Sequence, residues 1–167
     1  MYQFDRTIVG PFALHTSLPS VGDEHHKRYG TGVTPQNQAT LNLYISGQFE
    51  LEMPAANYRR IMSPGDCSLD IELSSFPEGL CIERCLAEGS RRICISTTSP
   101  RLRWARQVMS LSAGSAFVGP ESHLLVITTG IVDCDGVAIA AGESVMLGAG
   151  QVLRSDAEAR GVLMAII

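Results

Sequence analysis

Residues 41–53 read LNLYISGQFELEM, and apolar side chains alternate with polar ones through most of the stretch. The same alternation returns in residues 68–73, which read SLDIEL. A period of two is typical of a strand with one buried face, because successive side chains point to opposite faces of a sheet. Glycine and proline separate the candidate strands at intervals of roughly 8–12 residues, which favours an antiparallel sandwich or barrel. The sequence therefore predicts an all-β protein.

The second half of the chain repeats this pattern. Residues 124–127 (LLVI) form an apolar run, and Asp135-Gly136 has the composition of a tight hairpin turn. Residues 43–47 align with residues 126–130, which lie 83 positions later, and each segment precedes a hairpin and then a Gly-acid turn. Since this offset is half of the 167-residue chain, we interpret the sequence as a duplication of one β unit.

The beginning of the chain differs from the rest. It is rich in glycine and proline and contains a polar run at residues 23–28. We expect one early strand at residues 7–9, with a second candidate at residues 12–15, and then an exposed loop or arm. The resulting division has an N-terminal strand and arm in 1–38, a first lobe in 39–98, an Arg-rich linker in 99–107 and a second lobe in 108–167.

Two stretches resemble the core unit of the cupins, in which a strand ends in glycine and is followed by a hairpin and a Pro-Gly-Asp turn. Residues 43–71 read LYISGQFELEMPAANYRRIMSPGDCSLDI, and residues 123–153 read HLLVITTGIVDCDGVAIAAGESVMLGAGQVL. The resemblance extends over residues 41–73 and 111–167. It implies a jelly-roll β-barrel with two small tandem cupin-like lobes.

Metal-dependent cupins carry a first motif built on His-x-His followed by Glu, about seven residues before a glycine. In this chain the Glu position before Gly130 is His123, and the one before Gly47 is Thr40. No His-x-His pair precedes either position. The resemblance therefore implies a first motif without its usual metal ligands.

The second cupin motif ends in a histidine that binds the metal. Counted from Gly142, that position is Leu153, and counted from Gly65 it is Phe76. Apolar side chains cannot bind a cation that needs nitrogen, oxygen or sulfur donors. We therefore expect an apolar barrel interior, no metal site and no cofactor.

The histidines offer one alternative metal site. His25, His26 and His123 could combine with a carboxylate such as Glu121. Adjacent histidines on a strand point to opposite faces, however, so only one of the first pair could join such a site easily. We interpret them instead as solvated loop histidines plus one histidine in the core or at its rim.

Arginines dominate the middle of the chain, where no acidic residue lies between Gly89 and Pro120. Since Arg binds carboxylate and phosphate with two hydrogen bonds, the cluster predicts a site for an anionic ligand or an acidic protein partner. The candidate residues for that site are Arg91, Arg92, Arg101 and Arg103. The competing interpretation pairs the cluster with acidic residues of the first lobe, namely Glu50, Glu52, Asp70 and Glu72.

Composition limits the classes of protein. Net charge is −4, which argues against a nucleic-acid partner, and hydrophobic residues make up 45% against 18% charged, which excludes disorder. The chain shows neither a signal peptide nor an apolar run long enough for a membrane helix. We expect a soluble cytoplasmic protein, or a virion protein if the source is viral. Low charge density also favours a homo-oligomer, a dimer or larger.

The sequence is compatible with three functions. The first is a non-catalytic, metal-free module that binds a small molecule or a protein in a homo-oligomer. The second is a structural or assembly protein, for example a virion accessory or decoration protein. The third is a metal-independent isomerase or lyase, which needs a histidine or carboxylate inside the barrel, with His123 as the candidate. The missing metal ligands favour the first, a non-enzymatic function.

Overall fold

A computed structural model describes residues 2–29, 40–69, 78–99 and 101–167. Strands dominate this part of the chain, together with one 3-10 turn at Pro54–Ala56, which confirms the all-β prediction. Within it, no helix has the length and apolar character needed to span a bilayer. The strands are β1 Phe4–Val9, β2 Phe12–Ser17, β3 Glu24–Tyr29, β4 Leu41–Ser46, β5 Phe49–Met53, β6 Tyr58–Met62, β7 Cys67–Leu69, β8 Gly79–Cys85, β9 Arg91–Thr97, β10 Trp104–Leu111, β11 Ala116–Val118, β12 Leu124–Thr129, β13 Ile131–Cys134, β14 Val137–Ala140, β15 Ser144–Met146, β16 Val152–Arg154 and β17 Ala159–Ile166.

The chain divides into two compact units. Unit 1 contains Met1–Thr7 and Ala13–Ser96, and unit 2 contains Ile8–Phe12 and Thr97–Ile167. The main boundary therefore lies at Thr97, close to the start of the linker expected at residues 99–107. The end of that expected linker belongs to a strand, because β10 begins at Trp104 and pairs with β17 along its whole length.

The same strand order occurs in both units. One sheet has the order β1-β2-β9-β4-β7 and corresponds, apart from the extra β1, to the sheet β10-β17-β12-β15. The other sheet, β3-β8-β5-β6, corresponds to β11-β16-β13-β14. A register irregularity even recurs between equivalent strands, at Tyr44/Ser46 of β4 and at Ile127/Thr129 of β12. The eight strands β2–β9 are thus repeated as β10–β17, which confirms the predicted duplication.

The repeat begins earlier than the sequence suggested. The polar run at residues 23–28, expected to be an exposed loop, lies largely in β3, so that prediction is wrong. β3 pairs antiparallel with β8, and Glu24 lies opposite Arg84. β3 is an edge strand of its described sheet, where water covers much of the backbone and polar side chains are tolerated. An edge strand therefore lacks the apolar alternation that reveals a half-buried one.

Each unit has its apolar core between its two sheets. The unit 1 core is formed by Tyr44, Phe49, Leu51, Met53, Met62, Cys81 and Cys85. The unit 2 core is formed by Met109, Leu111, Leu125, Ile127, Val132, Cys134, Ile139, Leu147, Leu153, Ala159 and Leu163. Both cores draw side chains from both sheets of their unit, as expected for a small barrel whose inward positions alternate along every strand.

The predicted hairpin turn at Asp135-Gly136 is confirmed. β13 and β14 pair antiparallel on either side of it, and φ is 49° at Asp135 and 87° at Gly136. Two successive positive φ angles define the tight hairpin turn that matches the twist of the strands, and Asp-Gly tolerates them well. Sequence and local geometry therefore agree at this turn.

Candidate functional site

The candidate site lies inside unit 1 and is centred on Glu83 and Arg92. Glu83 sits in β8 between Cys81 and Cys85, and all three side chains are buried because alternate residues of a strand share a face. Arg92 sits in β9, directly opposite Tyr44 of β4. The two strands belong to different sheets, so the carboxylate and the guanidinium approach each other from the two sides of the core.

Glu83 accepts three hydrogen bonds. Arg92 Nη1 donates to Oε2 at 2.8 Å, and the phenol of Tyr44 donates to the same oxygen at 2.7 Å. The phenol of Tyr2 donates to Oε1 at 3.0 Å. Glu83 is 1% exposed and Arg92 is 2% exposed, so this is a fully buried ion pair with two phenols bound to it.

Two aromatic rings contact this ion pair, and the ring of His25 packs against both of them. The Arg92 guanidinium carbon is 5.4 Å from the ring centre of Phe4 and 6.0 Å from that of Tyr2, within the range of a cation–π contact. The His25 ring lies 5.4 Å from Phe4 and 5.5 Å from Tyr2. Tyr2, Phe4 and His25 are each partly exposed. These three residues form the aromatic cover, which contacts the guanidinium of Arg92 through Phe4 and Tyr2.

The two phenols stay neutral at any physiological pH. Burial raises the pKa of Tyr2, and the adjacent Glu83 charge and hydrogen bond raise it further. Burial likewise raises the pKa of Tyr44, again with the help of Glu83. Burial is the largest single effect and lowers the pKa of Arg92, but the negative charge of Glu83 and the smaller contributions of Tyr44, Cys94 and Tyr2 together outweigh it, and the pKa ends above its ordinary value. The cluster therefore contains one cation, one anion and two neutral donors.

One donor nitrogen of Arg92 is buried without an acceptor in the described part of the chain. Its Nε atom is fully buried and has no hydrogen-bond acceptor among the residues that the structure describes. A buried N–H without an acceptor costs free energy because it has given up its bond to water. The site thus offers a donor of fixed position, next to the aromatic cover, to any acceptor that reaches it.

Unit 2 has no such cluster at the equivalent positions. In unit 1, Glu83 lies opposite Leu51 and Arg92 lies opposite Tyr44. The equivalent pairs in unit 2 are Leu153 opposite Cys134 and Gly161 opposite Ile127. These four unit 2 residues are apolar or lack a side chain. The expectation of an apolar barrel interior thus holds for the core of unit 2 but is wrong for unit 1, which buries an ion pair.

Comparisons with known proteins agree with this architecture. No family model and no curated protein sequence matches the chain. Solved structures do match: a cupin 2 conserved barrel domain protein from Leptotrichia buccalis has a TM-score of 0.58 at 13% identity, over 100% of this chain and 89% of that one. The chain has a cupin-like fold. Two further structures support it at TM-scores of 0.60 and 0.56: a putative glyoxylate induced protein from Pseudomonas aeruginosa (11% identity, 99% and 80% covered) and HutD from Pseudomonas fluorescens (10% identity, 98% and 95% covered).

The residues of this cupin-like protein do not fit a metal at the position that the second cupin motif provides. In unit 2 that position is Leu153, which is fully buried in the apolar core. In unit 1 the equivalent residue is Glu83, and both its oxygens already accept hydrogen bonds. No group of three or more His, Cys, Asp or Glu that could hold a metal occurs among the described residues. The metal chemistry of other cupins therefore has no ligand set in this part of the chain.

The four candidate arginines are divided between the two units of the cupin-like fold. Arg91 and Arg92 are neighbours in β9 and so point to opposite faces, while Arg101 and Arg103 belong to unit 2 and are exposed. Arg92 alone lies in the buried cluster. The anion site that the sequence assigned to all four remains a prediction.

The acidic residues suggested as partners of the arginine cluster are only partly accounted for. Glu50 binds Arg84 at 2.6 Å and also pairs with Arg59, and Glu52 lies 3.8 Å from Arg84. Neither arginine belongs to the predicted cluster. The two remaining candidates, Asp70 and Glu72, lie outside the described residues.

His123 lies just before β12 in unit 2 and is partly exposed. Its Nδ1 donates a hydrogen bond to the carbonyl oxygen of Glu121 at 2.9 Å, since a carbonyl can only accept. His25 and His26, the other candidates for an improvised metal site, are in β3 of unit 1, and His26 is 2.8 Å from Glu24. The prediction that these histidines lie in a loop is therefore wrong for His25 and His26.

Sequence reasoning found Arg92 but missed Glu83, Tyr44 and Tyr2. A signal for Glu83 was present, because it has the same strand parity as Cys81 and Cys85, and cysteine is among the residue types most often buried. A carboxylate on a buried face needs a partner, and that requirement alone points to an arginine. No comparable signal exists for Tyr2, whose contact with Glu83 spans 81 residues of sequence.

Proposed function

We propose that this cupin-like protein is a non-catalytic, metal-free module that binds a small ligand inside unit 1 and works as a homo-oligomer. The observation that carries the proposal is the buried Nε donor of Arg92, which has no acceptor among the described residues. A ligand with an acceptor at that point would recover the hydrogen bond that folding removed.

The arrangement favours binding over catalysis. General acid–base chemistry needs a group that is free to take or give a proton. The Glu83 oxygens are engaged by Arg92, Tyr2 and Tyr44, and the phenols hold their protons in those bonds. The isomerase or lyase interpretation would therefore have to rely on His123, which lies in the other unit.

A thermal-shift panel of small amides, carboxylic acids and sugars tests this function. A ligand at 100 times its Kd should stabilise the protein by about 2.7 kcal/mol. The informative variant is Glu83→Leu combined with Arg92→Met, which removes both charges together and places in unit 1 the leucine that unit 2 has at the equivalent position. The matched control is Arg60→Met, because Arg60 is an exposed arginine of the same unit.

We expect at least one compound to shift the midpoint of the wild type and of Arg60→Met, but not that of the double variant. A shift that survives in the double variant would place the ligand elsewhere and contradict the site. A panel without any shift would contradict the small-ligand function and favour the structural or assembly alternative. An acidic protein partner bound through the exposed arginines predicts loss of binding when Arg101 and Arg103 are replaced.

The homo-oligomer part of the proposal is supported by large apolar side chains on the surface of unit 2. Val108, Val118, Ile131, Val137 and Ile167 are all at least 60% exposed. Single exposed apolar residues are ordinary, so these five support the homo-oligomer as candidate positions for a surface that another copy would cover.

A further inference from the structure

The charge balance around Arg92 restricts the kind of ligand that the proposed site can take. Arg92 is the one buried Lys or Arg in the part of the chain that the structure describes, and Glu83 already neutralises it at 2.8 Å. A ligand carboxylate at Nε would bring a second anion into a buried space that holds one cation. Burial makes such like-charge repulsion far stronger than it is in water. An uncharged acceptor avoids this cost.

The two phenols also favour an uncharged ligand over a carboxylate. Tyr2 and Tyr44 direct their only protons to Glu83, so neither can donate to an incoming carboxylate without breaking an existing bond. An incoming carboxylate would therefore receive no hydrogen bond from either phenol.

The aromatic cover indicates the shape of the ligand. Tyr2, Phe4 and His25 have ring centres 5.4–6.1 Å apart, and the rings of Tyr2 and Phe4 face the Arg92 guanidinium. Arg92 itself is only 2% exposed, so a molecule bound at its Nε would lie against the rings of Tyr2 and Phe4. Flat molecules can stack on aromatic faces while their edge meets the guanidinium.

We propose that the site in unit 1 selects a neutral, planar carbonyl compound, such as an amide or a lactam, over the corresponding carboxylate. Arg92 Nε donates to the carbonyl oxygen, the rings of the aromatic cover contact its flat faces, and Glu83 excludes anions. This selectivity rests on the proposed ligand-binding function and names its ligand class.

Benzamide and benzoate provide the test, because they have nearly the same shape and differ by one charge. Titration calorimetry or ligand-observed NMR on the full chain at pH 8 should show benzamide binding at least tenfold more tightly. In Glu83→Gln the Arg92 charge is no longer balanced, so the preference should reverse towards benzoate by a similar factor. Arg60→Met serves as the control and should retain the wild-type preference.

The outcomes separate the two proposals. Benzoate binding as tightly as benzamide to the wild type would overturn the charge selectivity and leave the ligand-binding function standing. Unchanged selectivity in folded Glu83→Gln would likewise overturn the role given to Glu83. If Glu83→Gln does not fold, the comparison of benzamide with benzoate on the wild type still tests the charge selectivity. Absence of binding by benzamide and by the lactam 2-pyridone would overturn the proposed ligand class, whereas the broader function fails only if the whole panel gives no shift.

Discussion

At the scale of single residues, Glu83 and Arg92 hold each other inside unit 1. Neither is more than 2% exposed, and both have left water for a mainly apolar interior. Burying one charge without the other is strongly unfavourable, while a buried pair often contributes little compared with two apolar side chains. The pair is therefore expected to matter for binding far more than for stability.

This expectation predicts a strongly non-additive mutant cycle. Arg92→Met and Glu83→Leu should each lower the free energy of unfolding by about 3–5 kcal/mol, because each leaves a buried charge without its partner. The double variant should lose much less than the sum. Urea denaturation of the four proteins measures the coupling. Arg160→Met is the control, because its ion pair with Glu158 is exposed and should contribute less than about 1 kcal/mol. Additive losses would contradict a buried, mutually dependent pair.

Two glycines with the same backbone angle provide a second prediction. Gly47 and Gly89 both have φ of 70°, where any other residue is strained. A Cβ on Gly47 would lie 2.6 Å from the Cα of Ser90, whereas a Cβ on Gly89 would meet nothing within 4 Å.

Gly89→Ala should therefore cost only the backbone strain, about 1–2 kcal/mol. Gly47→Ala should cost about 1–3 kcal/mol more, because the Ser90 backbone must move. Thermal or urea unfolding of the two variants measures the difference. Equal losses would show that the close approach of Gly47 and Ser90 does not limit the fold.

At the scale of strands, β3 is held to β8 partly by charge. Arg84 donates to Glu24 at 2.8 Å across the pair, and His26 lies 2.8 Å from the same carboxylate. The hydrogen bonds from His26 and then Arg84 lower the pKa of Glu24. A lowered folded-state pKa contributes stability above the unfolded value of about 4.3, and that stability is lost as the pH falls through the folded value.

Comparison with Glu24→Gln isolates this contribution. The wild type should have the higher unfolding midpoint at neutral pH, and the gap should close as the pH falls below about 4.3. The effect should be small, since the pair is exposed, and it should diminish in high salt. Calorimetric scans from neutral to acidic pH measure the gap. A gap that widens in acid would mean that Glu24 is not stabilised as a carboxylate.

The length of one strand connection explains why counting the second cupin motif from Gly65 gave the wrong residue in unit 1. Cys67 and Ser144 occupy equivalent positions in β7 and β15, as do Glu83 and Leu153 in β8 and β16. Glu83 follows Cys67 by 16 residues, whereas Leu153 follows Ser144 by 9, so the connection in unit 1 is seven residues longer. A motif counted with fixed spacing therefore reached Phe76 instead of Glu83.

At the scale of the whole molecule, one unit of the duplication is apolar inside and the other is not. If the exposed apolar residues of unit 2 are covered by another copy, the particle in solution should have at least twice the chain mass of 18.0 kDa. Replacing Val108 and Val137 by lysine should shift the particle towards the monomer without unfolding it, as both are over 60% exposed. Light scattering at several concentrations measures the mass, and an 18 kDa particle for the wild type would contradict the homo-oligomer.

Most of the fold could be predicted because its signals are local. Alternation in β4 and β5, the Asp135-Gly136 turn and the glycines that end β4 and β12 are all visible within a few residues. The repeat itself was visible as an offset of 83 residues. β3 was not predicted, because an edge strand can be polar along its whole length and then has no period of two.

The candidate site was predictable only in part. Arg92 was named as a ligand residue from its neighbours in sequence, but the residues that surround it come from β8, β4 and the segment before β1. Which side chain meets Arg92 depends on how two sheets face each other and on the length of each connection, and no sequence window contains that information. The sequence alone determined the strands, their turns and the duplication, because backbone preference and side-chain alternation act between near neighbours. Only the tertiary structure placed Glu83 and Tyr2 against Arg92, because burial forces a charge to find its partner in space and not along the chain.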